Sequence, residues 1–174
     1  MRCWTIAATL YAVLSSATLA EDRAANAAEQ LAGLFMQSCL QFAGDARGLR
    51  QWTASIKLAP LPPPGQDAFL KGRPGIAYDA TNAYGKFVVI SGEDGSCSVI
   101  AERADPAALL ASLERFAAQA GFRLDPAGDR RDPDETALHW RDYRLTKGGR
   151  PWTAAAGTAS DPSGGLALLS ITPR

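Results

Sequence analysis

The side chains best suited to chemistry or recognition gather late in the chain, in Leu138-His-Trp-Arg-Asp-Tyr-Arg144, with Trp152 shortly beyond. Read as a strand, this stretch has two rows: Leu138, Trp140, Asp142 and Arg144 on one side, Ala137, His139, Arg141 and Tyr143 on the other. Neither row is purely apolar. A solvent-facing row of His139, Arg141 and Tyr143, with Arg144 and Trp152 close by, has the composition of a binding surface, where aromatic and arginine side chains carry much of the affinity. An ordinary wet sheet face held by cross-strand aromatic and charge pairs has the same composition. Arg73 and Tyr78, beside Asp79, form a second candidate at a strand end, where turn and cap roles account equally well for Asp79.

Catalysis has little to build on. His139 is the single histidine, and no spacing of His, Asp and Glu suggests a metal site. There is no glycine-rich phosphate loop and no Gly-x-Ser-x-Gly elbow, and Gly92-Glu-Asp-Gly-Ser96 reads as a hairpin turn. No cofactor is implied. The enzymatic alternative is a small hydrolase using carboxylates and His139 in a pocket between sheet and helices.

Cysteine usage depends on compartment. Arg2, the apolar run Trp4 to Leu14, and small residues at Thr18 and Ala20 before Glu21-Asp22 have the layout of a secretory signal peptide. Cleavage after Ala20 leaves residues 21–174 as one domain, periplasmic or secreted. A retained anchor competes with this reading, but the run is short and broken by Thr9, Ser15 and Ser16. The expectation is therefore no integral membrane anchor after processing. Removing Cys3 with the leader leaves Cys39 and Cys97, which in an oxidising compartment most simply form one disulfide; two separate buried thiols are the alternative. They lie too far apart for a dithiol catalyst. Lys+Arg and Asp+Glu both number 18, with no concentrated basic face, which argues against nucleic acid and against an anionic lipid surface.

These residues need a scaffold. Leu31, Phe35, Cys39 and Phe42 recur at helical spacing within a helix over Ala24 to Gly44, and Asp45 can cap a second through about Ile56. Pro60-Leu-Pro-Pro-Pro-Gly65 reads as a stiff connector, followed by one helical turn over Asp67 to Lys71. Ile76 to Tyr78 is a short strand. Lys86 to Ser91 and Ser96 to Arg103, joined by Gly92-Glu-Asp-Gly95, form a β-hairpin with Cys97 on its inner side. Asp105-Pro106 opens a strongly striped helix that ends at Gly121. Phe122 to Leu124 reads as a strand and Pro126 to Gly128 as an exposed turn, with acidic and basic residues to Asp134. Three further strands span Thr136 to Thr146, Pro151 to Thr158 and Leu166 to Thr172. The predicted fold is α+β: an antiparallel sheet of six to seven strands, helices packed on one face, order α-α-β-β-β-α-β-β-β-β, one disulfide. Helix followed by strand meander occurs twice, over 24–103 and 105–172.

The helix carrying Cys39, Gly72-Arg-Pro-Gly75 ahead of Ala77-Tyr-Asp79, Cys97-Ser-Val in a hairpin arm, and the helix end Ala120-Gly-Phe122 together resemble a family of small exported proteobacterial proteins of unknown function. That resemblance implies an exported, disulfide-containing single domain and brings no activity or cofactor with it. The functional expectation is a non-catalytic module that binds an unknown protein or small molecule on an open sheet face. The alternative is a structural envelope component.

Overall fold

Local polar and glycine signals set the helix ends. In the computed structural model, which describes residues 22–131, 138–159 and 165–174, the first helix α1 runs through residues 22–35 and continues into a π-turn, Met36–Leu40. The wider turn places both Cys39 and Leu40 in the interior. Gly44, at φ 79°, ends it. Asp45 Oδ1 then accepts from Gly48 N at 2.8 Å and caps α2 (Ala46–Ser55). Asp105 does the same for α4 (Pro106–Gln119), accepting from Ala108 N at 2.6 Å, with Pro106 at the first position. Residues 1–20, the acidic stretch at Asp132, Asp134 and Glu135, Ala137, and the Ser160-Asp-Pro-Ser-Gly164 connection lie outside the described residues.

The proline run behaves differently from a connector. Ala59–Pro60 forms a two-residue edge strand, β1, where proline's missing N–H is harmless. Pro63 opens a helix, α3 (Pro63–Leu70), because the first turn needs no N–H. Between them and the next strand, β2 (Gly75–Asp79), the Gln66 amide acts as a piece of strand. Its Nε2 donates to Ala77 O at 2.7 Å, and its Oε1 accepts from Ala77 N at 2.9 Å, blunting the sheet edge.

The hairpin follows as β3 (Phe87–Gly92) and β4 (Cys97–Ala104). After α4 come β5 (Asp125–Arg131), β6 (Leu138–Lys147), β7 (Arg150–Ala159) and β8 (Gly165–Pro173). Gly148 and Gly149, both at positive φ, close the β6–β7 turn. The described residues thus give eight strands, not six or seven, in the order α-α-β-α-β-β-β-α-β-β-β-β. The extra strand is β1. The strand expected at Phe122 to Leu124 instead begins at Asp125 and runs through the expected Pro126–Gly128 turn, with a register shift between Pro126 and Gly128. Phe122 and Leu124 pack against the core just ahead of it.

All strand pairs are antiparallel, in the order β1-β2-β3-β4-β8-β7-β6-β5. The second meander is the first reversed, and the two join through β4 and β8. This gives the repeated helix-then-meander pattern a spatial form. α1 and α4 cover one face and touch each other through Arg115 and Glu29, 2.8 Å apart. Beneath them Phe87, Val89, Val99, Leu169, Ile171 and Tyr143 form the buried floor, with Leu31, Phe35, Leu109 and Leu113 above. Cys39 and Cys97 are disulfide-bonded, tying the π-turn to β4 across 58 residues. No helix among the described residues is long and apolar enough to cross a membrane.

Candidate functional site

Of the sequence-predicted residues, three lie inside. Tyr143 is fully buried, Trp152 and Tyr78 nearly so. The row His139, Arg141, Tyr143 faces α4, since Tyr143 pairs with Ala154, and Ala154 with Ile171, on the core side. Tyr143 therefore does not face solvent, contrary to expectation, whereas His139 in the same row stays exposed. The Trp152 ring packs on Gly44, where an added Cβ would fall 2.8 Å from the ring. Burial and the neighbouring Glu114 carboxylate push the Tyr143 phenol up to about 12, with Arg141 opposing the rise. Its Oη donates to Glu114 Oε1 at 3.3 Å.

His139 and Arg141 reach the edge of this covered face, beside a small cavity of about 220 Å³ also lined by Leu110, Asp129 and Thr158. Asp129 is engaged there, accepting from Arg141 Nε at 3.0 Å. Arg144 is exposed and belongs to the opposite row of β6. Arg73 stands apart from all of these, on the turn between α3 and β2. The structure therefore does not gather the predicted residues into one site. Among the described residues no group of three or more His, Cys, Asp and Glu is placed to hold a metal ion.

A larger concavity, of about 630 Å³, opens on the face without α1 and α4. Its floor is the outward row of three central strands: Ile90 of β3, Ser98 and Ile100 of β4, Leu168 and Ser170 of β8. One wall is the end of α3, where Phe69 and Leu70 rise beside β2, with Arg73 next to them. Trp140 and Leu138 of β6 form the other wall. Strand β7 leaves room for that wall because its outward residues are small. Gly157 lies directly under Trp140, and a Cβ there would come within 3.0 Å of the ring. Arg130 also packs on the ring, its guanidinium carbon 4.9 Å from the centroid.

Sequence reading named Arg73 of this site, and Leu138 and Trp140 only as members of the candidate stretch 138–144; it missed the floor. A signal was present. Helices on one face of a sheet require only one apolar row per strand, yet β3, β4 and β8 also carry Ile90, Ile100, Leu166 and Leu168 on the other. No protein-family model and no curated protein matches this chain.

Proposed function

We propose that this chain is an exported, non-catalytic binding module, and that its working surface is the trough on the open sheet face. One observation carries the reading: an apolar concavity within the size range of ligand sites lies on the face that α1 and α4 leave open. Leu166 at its end is 41% exposed. Isolated exposed leucines need no explanation, but a concave group of apolar side chains on one face does. The Cys39–Cys97 disulfide and the leader-like residues 1–20 support export, into an oxidising compartment.

The test is titration of residues 21–174 with the uncharged dye N-phenyl-1-naphthylamine. Saturable binding at one site is expected, weakened at least about tenfold by Ile100→Glu with the fold retained by circular dichroism. Leu166→Glu serves where Ile100→Glu fails to fold. Absence of saturable dye binding, or binding indifferent to both changes, overturns the reading. N-terminal sequencing of the exported protein should begin at Glu21; a start at Met1 removes the leader.

A further inference from the structure

The trough is graded from apolar to charged along the strand direction. On β8 the outward residues run Leu166, Leu168, Ser170, Thr172. Strand β4 points the opposite way, and its outward residues run in the same spatial sense: Ile100, then Ser98, then Ser96 in the turn beyond. On β6 the series is Leu138, Trp140, Asp142, Arg144. Antiparallel neighbours reverse chain direction, so the gradient shared by β4, β8 and β6 does not belong to any one segment; β3 departs from it, with Ile90 opposite Ser98. Six residues of β8 cover about 20 Å.

The polar end has two signs of charge. The turn from α3 into β2 brings Lys71 and Arg73; the β3–β4 turn brings Glu93 and Asp94. Glu93 N donates to Pro74 O at 3.1 Å, which holds the two turns side by side. The Ser96 hydroxyl and the Ser96 backbone N–H, at 2.9 Å, both donate to Asp94 and hold its carboxyl below the ordinary value, with the nearby Arg73 charge adding to the effect. Glu93 makes an exposed, long contact to Arg50 at 3.5 Å, which leaves its carboxylate 62% exposed.

We propose that the trough takes a single-chain amphiphile with a zwitterionic head, its alkyl chain along Leu168 and Ile100 and its head between the Lys71–Arg73 and Glu93–Asp94 turns. This rests on the binding-module reading above and deepens it. A purely anionic head meets Glu93 and Asp94, and a purely cationic one meets Lys71 and Arg73. A head with both charges satisfies each pair without leaving a like-charge contact. The hydroxyls of Ser98, Ser170 and Thr172 lie where the chain gives way to the head. A ligand apolar throughout would bury them without partners.

The test uses residues 21–174 and four probes sharing a dodecyl chain, each below its micellar concentration: phosphocholine, sulfate, trimethylammonium and maltoside heads. Calorimetry should give the phosphocholine probe an affinity at least about tenfold above each of the others. Arg73→Glu should erase that preference, and Leu166→Glu should weaken all four. Equal affinity for the four heads overturns the head assignment and leaves a site for alkyl chains. No binding of any probe, with saturable dye binding intact, overturns the amphiphile and leaves the binding module standing. Loss of the dye as well removes both.

Discussion

Leu168 and Leu169 are neighbours in β8, and the two sides of the sheet they face have little in common. Leu169 is fully buried among Val99, Ala156 and the residues of α1 and α4. Leu168 is half-buried on the floor of the trough. The covered side is filled by helix side chains and stapled by a disulfide. The open side is apolar at one end, hydroxylated in the middle and charged at the other. Stability belongs to the first side and selection pressure for a ligand would act on the second, so substitutions should separate the two.

The largest separation is expected at the staple. Cys97→Ala, or reduction, should lower unfolding stability by roughly 4 kcal/mol in the chain-entropy account of a cross-link of this span. Dye binding by the fraction still folded should stay unchanged. Denaturant unfolding with and without reductant measures the first and dye titration the second. Next, Leu169→Ala should cost about 2–5 kcal/mol, whereas Leu168→Ala should cost about 1 kcal/mol or less, since its side chain is already partly wet. Equal costs would mean that the open face is packed as tightly as the covered one.

Tyr143 gives the covered side a pH signature. Its phenol stays protonated in the fold up to about 12, against an ordinary value of 10.0. The unfolded chain therefore loses this proton first as pH rises, and the folded state loses ground between pH 10 and about 12. Tyr143→Phe should flatten that decline. At neutral pH it should cost about 0.5–1.5 kcal/mol, because Glu114 Oε1 loses a donor. Unfolding curves on both sides of pH 10, with and without the substitution, measure it. An unaltered slope would mean that the phenol is wetted in solution.

Local signals were legible in the sequence, and relations between distant elements were not. Asp45 and Asp105 cap helices through a neighbour three residues on, and Gly44 and Gly121 stop them, so those boundaries could be read directly. Cys39 and Cys97 could be paired because each lay on an apolar stripe in a chain whose first twenty residues read as a leader. The prolines misled for a positional reason: Pro60 and Pro63 occupy the two kinds of place where a missing N–H costs nothing. The rows of β6 were separable by alternation, but which one met helices depended on its register with β7 and on where α4 landed. Mixed polar and aromatic content on both rows left no local cue. The trough is still less local, since α3 supplies one wall, Trp140 the other, and strands from both meanders the floor.

The smallest predicted effect lies where those two meanders meet the trough. Gly157 has no positive φ that would demand glycine; what it provides is space, because Trp140 lies against its Cα side. Gly157→Ala puts a methyl within 3.0–3.1 Å of three ring atoms, so the indole must lift or slide. A small residue in mid-strand otherwise gains from a side chain, and the two terms oppose each other. The net stability change should stay within about 1 kcal/mol, including any loss of the Arg130 contact to the ring. Dye and amphiphile affinity should change by more than stability does, because the displaced ring is a wall of the trough and not part of the core. Arg130→Ala supplies the control: it removes the guanidinium from the ring but leaves the contact with Gly157 intact. It should alter binding less than Gly157→Ala. If the order is reversed, the ring is positioned by the guanidinium and the glycine is incidental.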